Sequence, residues 1–343
     1  VLVAVVFLMI TILVVYVDPF FHYHPPLKGF PYLVDNQLSQ NPGMAAHMEY
    51  DSVILGSSMT VNFQTVWFRE LMDLNTVKLS YSGAFPKDQS NIMEIIFENK
   101  GNQVKTVFLG VDVITYTGGV EETKYPIPEY LYDDNYLNDV QYVLNKDVIL
   151  NYILRPIADP EPTDLSNVYA SWWTEEYYSE DWVLLNYTSP EKVEKETAPE
   201  AYIPSVSENL DVNICPYIED NPETKFVVFF PPYSILFWND VLMENHLHAT
   251  MEEYRYIANR LNAYENVEVY FFPAREEIVC DLDNYADYSH YHPKFNRYMT
   301  ECFADGENLV AKEGEEGKTI DEYIKEMYRI VEAFDFKKLL SRK

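Results

Sequence analysis

Two short stretches far apart in the chain carry residue types that can do chemistry together: Gly56-Ser57-Ser58 and Asp287-Tyr-Ser-His290. A serine hydroxyl is a weak nucleophile until an imidazole takes its proton, and the imidazole works best when a carboxylate holds its tautomer. An Asp three residues before a His can sit beside the ring and leave the other nitrogen free to face a serine. Ser57 and Ser58 both qualify by position, although the ordinary role of a serine in such a turn is to cap a helix. His292 ranks second to His290 as the base, because no acid stands at the same spacing before it.

These residues need a scaffold that brings them together, and the apolar runs supply one. Ser52–Leu55, Thr76–Leu79, Thr106–Val111, Lys225–Phe230 and Val267–Phe272 read as buried strands. Helical spacing is found at Phe63–Leu71, Asp88–Asn99, Leu247–Leu261, Pro293–Cys302 and Asp321–Phe334. The alternation predicts an α/β fold, a three-layer doubly wound parallel sheet over residues 51–335. A Tyr-, Trp- and acid-rich insertion interrupts it at about residues 117–221. Within that insertion Tyr136–Arg155 reads as helical. Trp172, Trp173, Tyr177 and Tyr178 form an aromatic cluster, which serves either as a small core or as a platform for a sugar polymer. The Gly-Ser-Ser turn then falls at the carboxyl end of the first strand, where such sheets place their sites.

The chain has 25 Lys and Arg against 55 Asp and Glu among 343 residues, a net charge of −30, which excludes the basic footprint that nucleic-acid binding needs. A hydrophobic share of 48% excludes a disordered acidic tail. Three cysteines are too few for a disulfide scaffold or a Cys-rich zinc site and read as buried thiols; the alternative, open to an extracytoplasmic domain, is one bridge with Cys280 and Cys302 as the pair. Six of the seven histidines fall in His-x-His pairs, His22/His24, His246/His248 and His290/His292, and no metal site is assigned to them.

Val1–Val17 is free of charge, Gly and Pro, and is followed by Tyr16, Phe20, Phe21 and Tyr23, residues suited to a membrane interface. The expectation is a single-pass transmembrane anchor over residues 1–21 and an irregular membrane-proximal stalk over 22–50. The rest then lies on the extracytoplasmic side of the plasma membrane.

The order Ser, Asp, His and the position of each motif resemble the SGNH, or GDSL, hydrolase superfamily. With Ser57 before Ser58 and an apolar N-terminus, the chain is most similar to its membrane-anchored DltD-like and alginate-O-acetylation-like branch. The resemblance implies Ser58 as nucleophile, His290 as general base and Asp287 as its orienter, with Gly83 in Ser-Tyr-Ser-Gly83 offering a backbone oxyanion donor. The family's asparagine donor falls on Asp112, and an ionised carboxylate cannot donate; Tyr116 or a backbone amide is the substitute considered. Ser57 joins Gly83 and Asp112 as an oxyanion or binding residue. The implied function is a serine O-acyltransferase or esterase on acyl esters of a cell-envelope polysaccharide or teichoic-acid-like polymer. No cofactor is implied, and a multi-pass membrane O-acyltransferase is the implied partner. The alternative is a non-catalytic module that binds glycan or scaffolds a membrane acylation complex.

Overall fold

The computed structural model describes residues 2–171 and 173–342, so Val1 of the expected anchor and Trp172 of the aromatic cluster lie outside the described residues. Five short strands, β1 Ser52–Leu55, β2 Thr76–Lys78, β3 Thr106–Gly110, β4 Lys225–Phe230 and β5 Val267–Phe271, coincide with the five apolar runs. All pair in parallel, in the order β2-β1-β3-β4-β5. The architecture is α/β, and its strand order is compatible with a doubly wound fold. Near-continuous apolar strands follow from burial on both faces, which parallel sheets require. The order reverses at β1, whose neighbours are β2 on one side and β3 on the other; a crevice therefore opens at the carboxyl ends of β1 and β3.

The longer helices are α1 Leu2–Val17, α2 Gln37–His47, α3 Thr65–Met72, α4 Pro86–Lys100, α5 Ile203–Asn213, α6 Ile235–Met243, α7 Leu247–Asn262, α8 Pro293–Asp305 and α9 Ile320–Ala333. They fall into two packed groups: α3 rests on α8, while α7 packs against α5 and α9, and α4 against α2 and α5. Residues 111–224, between β3 and β4, contain no strand among the described residues.

Phe303 of α8 joins the core to the sheet. Its ring lies 5.2 Å from Phe229, 5.5 Å from Phe108 and 5.1 Å from Tyr270. Phe303→Ala should cost about 3–5 kcal/mol in chemical denaturation, because the cavity left among rigid rings cannot collapse.

Of two expectations for the N-terminal region, the transmembrane anchor is not supported and the irregular stalk is corrected. No helix among the described residues is long and apolar enough to cross a membrane. Helix α1 has 16 residues and ends at Val17, because Asp18 turns to φ +47° and the last turn docks on the protein, burying Val14 and Val17. The stretch expected to be an irregular stalk instead contains α2, which is largely buried and packs on α4. Its Asn41-Pro42-Gly43 sequence reads as a break, yet the helix runs through it. Pro42 cannot donate to the carbonyl of Leu38, and the hydroxyl of Tyr132 donates to that oxygen instead, at 2.8 Å. The helical reading of Tyr136–Arg155 holds in pieces, Val140–Val143, then a π-helical Val148–Leu154 continuing into Arg155–Ala158.

Candidate active site

The turn after β1 is shaped for close approach. Gly56 has φ +149°, and a Cβ there would meet the Thr60 side chain at 2.5 Å, so only glycine fits. Ser57 caps the short 3₁₀ turn Ser58–Thr60 by accepting from the Met59 amide, at 3.2 Å, which leaves Ser58 as the first residue of the turn. Thr60 then donates its hydroxyl to Ser80 at 2.6 Å, and the Tyr81 amide donates to the Gly56 carbonyl at 2.9 Å, tying the β2 loop to the serine turn. Beneath them, buried Lys78 donates to the carbonyls of Val61 and Phe63, the latter at 2.8 Å. Burial pushes its ammonium down to about 7.

The second half of the site is the loop between Leu282–Asn284 and α8. Asp287 folds it by accepting from the amides of Ser289 at 2.8 Å and His290 at 2.7 Å, the local bonding that Asp favours in turns. The same carboxylate accepts from His290 Nδ1 at 2.7 Å, and His290 Nε2 lies 2.8 Å from Ser58 Oγ. With Nδ1 as the donor, Nε2 is the acceptor of the serine proton. Burial alone would raise the Asp287 pKa; the side-chain bond and charge of His290 and the two amides outweigh it, and the carboxyl is held below the ordinary value. Asp287 therefore stays charged and keeps the imidazole in this tautomer. Of the two serines, only Ser58 meets the imidazole in this way, while Ser57 is the cap.

His292, the rival base, is committed elsewhere: its Nδ1 accepts from the Lys294 amide as the cap of α8, and its Nε2 pairs with Glu175 at 3.1 Å. The other His-x-His pairs diverge as well. His22 bonds Asp139 while His24 faces the Val15 carbonyl, and His246 pairs with Glu244 while His248 Nδ1 shares a hydrogen bond with the Tyr328 hydroxyl. Among the described residues no three His, Cys, Asp or Glu side chains converge as metal ligands. Cys215, Cys280 and Cys302 are free thiols, the first and last buried and Cys280 partly so, and the alternative Cys280–Cys302 bridge is not formed. Cys302 lies on the core face of α8, where its sulfur accepts from Asn308.

Asp112 follows β3 and is 4% exposed. Tyr233 donates its hydroxyl to the carboxyl, and the Ser57 side chain bonds it too. Burial raises its pKa, with the Ser57 and Tyr233 bonds and the charge of His290 opposing. Tyr116, Tyr254 and Tyr291 also face this carboxyl across the site. Burial outweighs the two hydroxyl bonds, which favour the carboxylate, so the pKa is raised and the objection that an ionised carboxylate cannot donate weakens. Gly83 lies in the loop after β2 with φ +73°, and a Cβ there would meet the Lys124 side chain at 3.1 Å. Tyr116 is buried and its hydroxyl donates to Gln89 Oε1 at 3.5 Å.

Three contributors were not singled out in the sequence as site residues. Tyr291 and Asn296 both donate to the Met59 carbonyl, at 2.7 and 3.2 Å, clamping the serine turn from the histidine side. A signal for Asn296 existed: it shares the buried face of α8 with Met299 and Phe303 at spacings of three and seven, where an apolar residue would be expected. Trp173, read only as part of an aromatic cluster, lies with its ring 5.1 Å from that of His290. No family model matches the chain, and no curated protein matches it.

Proposed function

We propose that the protein is a membrane-associated serine acyltransferase or esterase of the SGNH-like kind, acting on acyl esters of a cell-envelope polysaccharide or teichoic-acid-like polymer. The observation that carries this reading is the continuous relay from Ser58 Oγ through His290 to the Asp287 carboxylate, with spacings of 2.8 and 2.7 Å. Ser58 attacks the ester carbonyl as its proton passes to His290 Nε2, and Asp287 stabilises the imidazolium. The oxyanion is received by the amides of Ser58 and Gly83. Collapse expels the alcohol, which leaves with the proton from His290, and Ser58 carries the acyl group. A sugar hydroxyl or water then attacks the acyl-enzyme, giving its proton to His290, and restores the serine. Trp173 offers the aromatic face on which a sugar ring can stack.

Membrane association is proposed from α1, whose Leu2, Val3, Phe7, Leu8, Met9 and Ile12 are exposed and apolar. A domain on the extracytoplasmic side and a multi-pass O-acyltransferase as supplier of the acyl group belong to the same reading. The test is turnover of p-nitrophenyl acetate and of an acylated polymer by the full chain in lipid vesicles, beside Ser58→Ala. The wild type should exceed the variant by about 10³-fold or more. Equal rates from two folded proteins would replace the enzyme with a glycan-binding or scaffolding module.

A further inference from the structure

The apolar surface of α1 does not end with α1. In the segment 136–157, Leu137, Val140, Leu144, Leu150, Leu154 and Ile157 are all exposed, Leu137 at 90%. Their spacings are three and four residues, then six across the break after Val143, then four and three, so the exposed positions recur on both helical pieces of the segment. The opposite face of the same segment, with Tyr142, Val148 and Ile153, is buried in the protein. The segment is thus apolar on both sides, and only one side has a protein partner among the described residues.

Two features say what the other side meets. The first is continuity: α1 packs against both Val140–Val143 and Val148–Leu154. The junction is fixed by a buried polar knot. Asp18, just past α1, accepts from the amides of His22, Tyr23 and His24 and from the Tyr142 hydroxyl at 2.9 Å. Asp139 accepts from Tyr23 at 2.8 Å and from His22 at 3.3 Å. The second feature is charge. On a chain of net charge −30, residues 136–157 hold Lys146 and Arg155 against Asp139 and Asp147, and Asp139 is buried in the knot. The exposed stripe is therefore neutral to slightly basic on an otherwise acidic molecule, and Tyr16 and Tyr136, both exposed, flank it as interfacial aromatics do.

We propose that residues 137–157 are a second membrane contact, lying in the headgroup and acyl-chain boundary of a lipid bilayer beside α1 and fixing how the α/β body stands on it. This rests on the reading of α1 as membrane-associated. One helix inserted alone leaves the body free to rotate about it; a second contact locked to the first by Asp18 and Asp139 removes that freedom and holds the candidate site at one height and orientation.

The test uses the full chain in phosphatidylcholine and phosphatidylglycerol vesicles, with an environment-sensitive fluorophore on Val5→Cys, Leu150→Cys or Leu185→Cys. Leu185 is also exposed but belongs to the separate helix Glu180–Asn186. The unsubstituted chain, with its three native thiols, gives the background. Spin-labelled lipid should quench the probes at 5 and 150 alike and spare the probe at 185. The paired change Leu150→Asp with Leu154→Asp should lower partitioning into vesicles about tenfold or more. Quenching at 5 but not at 150 overturns the second contact and leaves the membrane reading of α1 intact. Quenching at neither overturns both. Protection of 150 only on self-association, lost in the paired variant, would make the stripe an interface between copies and would overturn the proposal as well.

Discussion

Replacing His290 with alanine is expected to lower acyl-ester turnover by about 10³- to 10⁶-fold, because Ser58 then has no acceptor for its proton, and residues that act as a unit fail together. Asp287→Asn should lose about 10⁴-fold with the loop still folded. An asparagine amide would donate to Nδ1 and force the proton onto Nε2, the nitrogen that must face the serine as acceptor. Steady-state kinetics on both variants and on Ser58→Ala separate these effects. The double change Ser58→Ala with His290→Ala should be no worse than either alone. The Asp287 charge also carries a stability signature. Its pKa in the folded protein lies below the ordinary value of 3.8, so its contribution is present above that value and is lost as pH falls through the lowered one. Acid denaturation of Asp287→Asn should lack that component, since its amide does not titrate.

The second large effect concerns Asp112. As a neutral acid it places no charge beside the developing oxyanion; once ionised, it opposes it, and its bonds to Ser57 and Tyr233 change character. Wild-type activity should therefore fall as pH rises through the raised pKa of Asp112, by about 10²- to 10³-fold at full ionisation, an effect the size of losing an oxyanion donor. Asp112→Asn keeps an uncharged, donating group there and should lose that fall. The groups that interact with the carboxyl are Ser57, Tyr116, Tyr233, Tyr254, Tyr291 and His290, with no Lys or Arg among them, and comparing the wild type with Asp112→Asn isolates the carboxyl's part. The sign for stability is the same. A raised folded pKa gives stability that is fully present below 3.8 and lost as pH rises through the folded value. Denaturation of the two proteins as pH rises from below 3.8 should show Asp112→Asn losing less.

Much of this arrangement can be read in the sequence because parallel strands buried on both faces must be short apolar runs, and all five announce themselves that way. Ser58, Asp287 and His290 are legible for a related reason: the first ends a strand, and the other two are neighbours whose spacing alone lets them bond. The residues that stayed hidden act through tertiary contacts. Pro42 argues locally against a helix, and only Tyr132, ninety residues later, makes the helix tolerable. The clamp of Tyr291 and Asn296 on the Met59 carbonyl joins positions more than 230 apart, so no local pattern shows it. The raised pKa of Asp112 is invisible for the same reason, because it follows from tertiary burial. The aromatic cluster could be read only by composition, and composition does not reveal that Trp173 lies against His290.

The central claim is that Ser58 is the residue that becomes acylated. Treating the full chain with a serine-reactive fluorophosphonate and mapping the adduct by peptide mass spectrometry tests it most directly. The account predicts one adduct, on the peptide containing Ser58, absent in Ser58→Ala and greatly slowed in His290→Ala. A folded wild-type protein that takes no label, or takes it on Ser57 or Ser289 with Ser58 untouched, would contradict it.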